Sequence, residues 1–194
     1  MILQQSFFER DALVCARELI GKILVHGETS GHIIETEAYR EHGDPACHLF
    51  TRPSARKFAE SCPPGTAYVY LNYGVHWLAN VLCRDAATGN AGFVLFRALE
   101  PLSGIGTMQQ RRGTQIERNL CSGPGKLAAA LGIGPEHHRE PLIADGDLHL
   151  LKSDRPAPKI QADMRVGISA AKELPWRFLA SDHPGVSIKF GKVK

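Results

Sequence analysis

Residues 92–99 read GFVLFRAL, an apolar run of strand length with one guanidinium set inside it. A buried, unpaired guanidinium costs several kcal/mol, so Arg97 must meet a carboxylate or line a polar cavity. Whatever fold the chain adopts has to supply one of the two. The obvious partners are Glu35 and Glu37 in the run 32–37 (HIIETE), with Glu100 as the nearby, plainer choice. That run reads as a second strand. Its period of two puts Ile33, Glu35 and Glu37 on one face and Ile34 and Thr36 on the other. Neighbouring carboxylates repel, which tends to raise the pKa of one of them. Many such pairs are simply solvated or ion-paired with arginines. Glu37 stands at the strand end, where a loop begins, and that position favours chemistry.

The rest of the chain supplies elements around these two runs. Residues 11–20 read as an amphipathic helix capped by Asp11 and stopped by Gly21. Residues 22–26 form a short strand and 27–31 contain the turn of a hairpin. Residues 40–64 are irregular, rich in Gly, Pro, Asp and Ser, and include Arg52, Arg56 and Lys57. A loop of that length inside a compact domain is usually functional or disordered, and its cations suit either a phosphate-facing edge or ordinary solvation. Residues 67–71 form a strand with Tyr68 and Tyr70 on one face. Tyr73-Gly74 then breaks the run, which leaves Tyr73 exposed at a tip. Residues 75–82 form an apolar strand holding Asn80, and a turn at 87–90 leads to the run with Arg97. Residues 107–112 end a short helix with two cations on its C-terminal side, as the dipole prefers. The stretch 120–131 (LCSGPGKLAAAL) is the clearest helix start: Ser122 or Gly123 caps, Pro124 sits in the first turn, and Lys126 follows. Free N–H groups and a lysine there make a small phosphate seat, without the spacing of a Walker loop. Beyond Gly134, residues 148–151 and 186–189 read as strands, and 165–169 and 175–179 as apolar, strand-like pieces with embedded arginines.

At 194 residues the chain suits one domain over 1–194, with no repeat or linker to divide it. A net charge of +3 permits a polyanionic partner without demanding one. Five cysteines without a CxxC pair indicate neither a disulfide framework nor a zinc ribbon, so a reducing compartment fits. The N-terminus lacks the features of a signal peptide, and no apolar run is long enough to span a bilayer. The expectation is an intracellular protein of the cytoplasm or nucleoid, or of the nucleus in a eukaryote. His42, Asp44, Cys47 and His48 lie close together and could, with Glu35 and Glu37, serve a metal-dependent hydrolase. Their spacing matches no regular zinc pattern, and no metal is expected.

Taken in order, ETEAY, D-x-x-CH, AYVYxxYG…N, VLFRALEPL and LCSGPGKL resemble the alkyladenine (3-methyladenine, methylpurine) DNA glycosylase family. The resemblance runs over about residues 13–178 and weakens after Leu131. It implies an α+β fold, a single compact domain with a curved, largely antiparallel sheet flanked by helices. It implies excision of alkylated or deaminated purines from double-stranded DNA by a monomeric enzyme without a cofactor. Residue by residue, Glu37 matches the general base and Arg97 the arginine that helps hold the attacking water. Tyr39 and Tyr70 match the aromatics that sandwich the flipped base, and His48 the histidine that contacts it. Asn80 matches the residue set against the guanine amino group, and Tyr73 the residue wedged into the duplex. Arg52, Arg56, Ser122, Gly123 and Lys126 are the expected phosphate contacts. No lysine stands out as a Schiff-base nucleophile, which argues against a lyase step. Where the family commonly has Met-Phe before its PPG turn, Glu60-Ser61 stands here, an acidic residue beside the DNA-facing loop. The rival readings are the metal-dependent hydrolase and a damaged-DNA-binding module without catalysis.

Overall fold

The run carrying Arg97 and the run carrying the paired glutamates become neighbouring strands, the two longest of one antiparallel sheet. The structure is a computed structural model and describes residues 1–193. In chain order it contains α1 (Gln5–Phe8), α2 (Ala12–Leu19), β1 (Ile23–His26), β2 (Thr29–Arg40), α3 (His48–Thr51), α4 (Pro53–Ser61), β3 (Ala67–Asn72), β4 (His76–Arg84) and β5 (Ala91–Ser103). Then follow α5 (Ile105–Arg112), α6 (Pro124–Leu131), β6 (Leu148–Leu151), β7 (Ile160–Asp163) and β8 (Arg177–Ala180). The sheet order is β3-β4-β5-β2-β1-β6, and β8 pairs with the end of β2 beyond β1, carrying β7 on its outer edge. This is the α+β architecture expected, with a curled antiparallel sheet.

The curl has a local origin. The β2–β5 register slips at three points, leaving Leu102, Ile34 and Arg97 without partners in the ladder. Each extra residue bends its strand and increases its twist. The slip at Ile34 also breaks the simple alternation, because Ile33 and Ile34 both enter the main core. β2 is buried from Thr29 to Ala38, so it is longer than the 32–37 run suggests. It starts early because the hairpin from β1 needs only Gly27 and Glu28 as its turn.

The main core fills the space between the sheet and helices α2, α5 and α6. α2 begins as expected: the Asp11 side chain accepts the Leu13 N–H at 2.8 Å, and Gly21 follows with φ +87°. A smaller cluster packs Leu49, Phe58 and Ala59 against Tyr68, Leu82 and Phe93. It is made possible by α3 and α4, which replace the irregular loop expected at 40–64. Pro53, which reads as a breaker, opens α4, where its missing N–H costs nothing. Two strand-like pieces are corrected as well. Residues 186–189 and 165–169 carry no strand, whereas the polar segment Ile160–Asp163 does, because β8 offers it an edge.

One close approach ties α2 to the strands beneath it. A Cβ at Gly92 would lie 2.6 Å from the Tyr39 carbonyl oxygen and 2.7 Å from Ala12 Cβ. Gly92→Ala is expected to destabilise the protein by roughly 1–3 kcal/mol through overpacking. The check is the midpoint of urea unfolding, which should fall; an unchanged midpoint contradicts the contact.

Candidate active site

Because Arg97 is the extra residue of β5, its side chain leaves the ladder on the face that carries Glu35 and Glu37. Arg97 Nε donates to Glu35 Oε1 at 3.1 Å, and Nη1 lies 3.3 Å from Glu37 Oε1. Both carboxylates are fully buried. Glu100, the plainer partner, pairs with Arg155 at the surface. Burial alone would lower the Arg97 pKa; the charges of Glu37 and Glu35 override it and hold the guanidinium above its usual value.

The two carboxylates are not equivalent. Glu35 Oε1 accepts from Arg97 Nε, from Arg177 Nη1 at 2.9 Å and from Ser187 Oγ at 2.7 Å, and Oε2 accepts the Ser187 N–H at 2.6 Å. Arg177 in turn donates to Asp163 Oδ2 at 2.5 Å. Glu35 therefore accepts four hydrogen bonds and is tied into the fold. Glu37 Oε1 accepts the Val166 N–H at 2.7 Å, while Oε2 accepts only the Tyr39 hydroxyl, also at 2.7 Å. That oxygen keeps capacity for a further donor. Burial, and then the Glu37 charge, push the Tyr39 hydroxyl well above its usual pKa, which leaves it a firm donor.

In front of Glu37 lies a cavity of about 540 Å³, lined among others by its partners Tyr39, Arg97 and Val166 and by His48, Tyr70 and Asn80. The Tyr39 ring is backed by the Arg165 guanidinium, 4.7 Å from its centroid. Arg165 is clamped by Asp44 through two bonds of 2.6 and 2.7 Å, both side chains fully buried. The His48 ring meets Tyr70 edge-on at 4.5 Å, and its Nδ1 lies 3.2 Å from the Tyr68 hydroxyl. Burial, assisted by the Arg52 charge, lowers the His48 pKa to about 4, so at neutral pH the imidazole is uncharged. Asn80 Nδ2 donates to the Tyr68 carbonyl at 3.0 Å, which aims its amide from β4 toward the cavity.

At the cavity rim the β3–β4 turn projects Tyr73, 86% exposed with φ +50°, between the exposed Leu71 and Val75. Of the expected phosphate contacts, Ser122, Gly123 and Lys126 gather at the start of α6, whose Pro124 lines the cavity; Lys126 Nζ is 3.4 Å from Ser122 Oγ. Arg52 also lines the cavity, with Cζ 5.5 Å from the Tyr70 centroid. Arg56 stands apart from this group, because its Nη1 donates to the Leu49 and Phe50 carbonyls at 3.0 and 3.2 Å. Glu60 is exposed at the end of α4, and Ser61 Oγ accepts from Arg139 Nη2 at 2.9 Å.

Sequence reasoning missed Asp163, Arg165, Val166, Arg177 and Ser187 as parts of this arrangement. The signal available for Arg165 and Arg177 was the one that singled out Arg97, an arginine among apolar residues. As for the metal-site grouping, Asp44 is committed to Arg165, and burial pushes the Cys47 thiol up to about 12. Among the described residues, no three His, Cys, Asp or Glu side chains are gathered as a metal would need. Nor is any helix among them long and apolar enough to cross a membrane.

Comparison with known proteins gives a consistent result. The family model for methylpurine-DNA glycosylase (MPG) matches residues 6–184. A protein of Chlorobaculum tepidum is 44% identical over 192 residues, covering 95% of this chain and 90% of its own length. One from Agrobacterium fabrum is 47% identical over 186 residues, covering 96% and 92%. One from Rhodopseudomonas palustris is 47% identical over 176 residues, covering 91% and 86%. Each is named, provisionally, as a 3-methyladenine DNA glycosylase.

The His48 environment yields a direct check. Its folded pKa lies below its unfolded value, so between about pH 6.5 and 4 the unfolded chain binds the extra proton and the His48 contribution to stability is lost as pH falls. Followed by NMR, the His48 ring is expected to titrate near 4; a midpoint near 6.5 contradicts the buried, neutral imidazole.

Proposed function

The chain belongs to the methylpurine-DNA glycosylase family, and on that premise we propose that it rotates a damaged purine out of duplex DNA into the cavity and hydrolyses its N-glycosidic bond with a water activated by Glu37. Membership makes it a DNA glycosylase, a hydrolase of the 3-methyladenine type that acts on DNA. The observation that carries the mechanism is the inequality of the two carboxylates on Arg97. Glu35 takes four hydrogen bonds, and its partners Arg177 and Ser187 lie outside the cavity wall, whereas Glu37 has all of its partners, Tyr39, Arg97 and Val166, in that wall and one oxygen bonded only to Tyr39.

In this scheme the water oxygen bonds to C1′ as the C1′–N bond breaks, the bonding pair leaves with the purine, and the water proton passes to Glu37. Arg97, whose Nη1 lies 3.3 Å from Glu37 Oε1, shares the water. Four buried carboxylates (Glu35, Glu37, Asp44 and Asp163) meet three buried guanidiniums (Arg97, Arg165 and Arg177). The formal excess of negative charge stabilises the oxocarbenium that develops at the sugar. An N3- or N7-alkylated purine already carries positive charge and leaves as a neutral base. It needs no proton from the enzyme, which suits a pocket whose histidine is uncharged.

Tyr39 and Tyr70 stack on the extruded base, which returns roughly 1–3 kcal/mol per aromatic contact against the cost of unstacking. His48 contacts the base edge, and Asn80 stands against the amino group that distinguishes guanine. Tyr73 fills the gap left in the duplex, a role its exposed, apolar tip suits. Ser122, Gly123 and Lys126 hold backbone phosphate at the α6 N-terminus, with Arg52 in the cavity wall as a further contact. The scheme requires one copy of the chain, no metal, no cofactor and no lyase step.

The test is single-turnover base release from duplexes that each carry one lesion. The wild type is expected to release N-alkylated purines, and Glu37→Gln to lose about 10²-fold or more in rate with DNA binding retained. A wild type that binds lesion DNA and releases no base would favour the non-catalytic module instead. Equal rates for wild type and variant would remove Glu37 from the mechanism.

A further inference from the structure

Arg97 is gripped at all three of its guanidinium nitrogens, and one of those grips comes from the end of the chain. Nε goes to Glu35 and Nη1 to Glu37, while Nη2 donates to Ser187 Oγ at 3.1 Å. The same hydroxyl donates to Glu35 Oε1 at 2.7 Å, so its proton and a lone pair are both committed and its orientation is fixed. Ser187 is not part of any strand or helix. Its segment is held by main-chain bonds to the charged cluster: the Ser187 N–H to Glu35 Oε2 at 2.6 Å, Arg177 Nη1 to the Ile188 carbonyl at 2.8 Å, and the Gly191 N–H to Asp163 Oδ2 at 2.9 Å. Ser187 does not line the cavity.

We propose that Ser187 is a positioning residue for base excision: its hydroxyl lets the C-terminal segment fix the plane of the Arg97 guanidinium, and hence the edge that Arg97 turns toward Glu37 and the attacking water. The inference rests on the reaction proposed above. Nε–H and Nη2–H share one edge of the guanidinium; without Ser187 that edge is held at Nε alone, which leaves the group freer to turn about the Cδ–Nε bond. The third contact, on Nη2, removes that freedom. Removing the hydroxyl deletes this contact and the bond to Glu35 Oε1, but the Ser187 N–H still reaches Glu35 Oε2 whatever side chain stands there. Displacements on the order of 1 Å at such a site can cost about 10²-fold in rate.

The experiment compares wild type, Ser187→Ala and Ser187→Thr in single-turnover release of an alkylated purine, with DNA affinity and the Arg97 Nε–H NMR signal recorded for each. Ser187→Ala is expected to slow release roughly 10- to 100-fold without weakening DNA binding, and Ser187→Thr to restore most of the rate. The Arg97 signal should broaden as the guanidinium begins to pivot. If Ser187→Ala does not fold, Ser187→Cys, a weaker hydrogen-bonding group in the same place, carries the same expectations. Release at the wild-type rate with an unchanged Arg97 signal overturns the proposal. So does a loss of rate that tracks lost DNA binding and that threonine does not rescue, since that is the mark of a folding contact alone. A wild type that releases no base overturns the underlying reaction, and the Arg97 signal then shows separately whether Ser187 orders the guanidinium.

Discussion

Seven ionised side chains share the interior behind the cavity: Arg97, Arg165, Arg177, Glu35, Glu37, Asp44 and Asp163. Removing each from water costs several kcal/mol, and the attraction between them repays that only when geometry and supplementary hydrogen bonds are good. The rest of the structure meets that condition. The slips between β2 and β5 turn Arg97 out of its ladder toward the glutamates. β8 delivers Arg177 beside Glu35, and the segment after it brings the Ser187 N–H to Glu35 Oε2 and the Gly191 N–H to Asp163 Oδ2, which Arg177 also reaches. The segment after β7 carries Arg165 to Asp44, which closes the irregular stretch behind Tyr39. A hydrophobic core alone would not specify these positions, because apolar contacts carry no direction.

That cluster also divides two chemically identical groups. Glu35 and Glu37 sit two residues apart on one face, both fully buried and both on the same guanidinium. Glu35 receives four hydrogen bonds, from Arg97, Arg177 and twice from Ser187, and serves as the hub of the fold. Glu37 faces Tyr39, Arg97 and Val166, all of them in the cavity wall, and has an oxygen with room for one more partner. Position along a strand sets the neighbours, and the neighbours set the role.

Much of this was legible in the chain itself, and the illegible parts share a cause. An arginine in GFVLFRAL demands a carboxylate, and the glutamates of HIIETE were the right ones. The Tyr73-Gly74 break announced an exposed tip, and GPGK announced the start of α6. The second and third buried arginines were visible only as oddities in apolar pieces. Their partners lie 121 residues away for Arg165–Asp44 and 142 for Arg177–Glu35, and no local pattern encodes contacts at that separation. α3 and α4 were missed because Pro53 and the polar residues around it resemble a loop, and the packing of Phe58 on Tyr68 and Phe93 that pins α4 joins separate elements of the fold. β7 escaped notice because IQAD has no strand pattern of its own and owes its conformation to the β8 edge.

Urea unfolding of Glu35→Gln beside Glu37→Gln at neutral pH tests the division between holding and reacting most directly. A glutamine at 35 must turn an NH₂ toward Ser187 N–H or toward the Arg97, Arg177 and Ser187 Oγ donors, so a donor meets a donor in either orientation. A glutamine at 37 can keep its oxygen on Val166 and Arg97 and place its NH₂ on the Tyr39 hydroxyl, which can accept as well as donate. Glu35→Gln should therefore cost roughly 3–5 kcal/mol, and Glu37→Gln on the order of 1 kcal/mol. Equal losses, or a larger loss at Glu37, would contradict the assignment of Glu35 to the fold and Glu37 to the reaction.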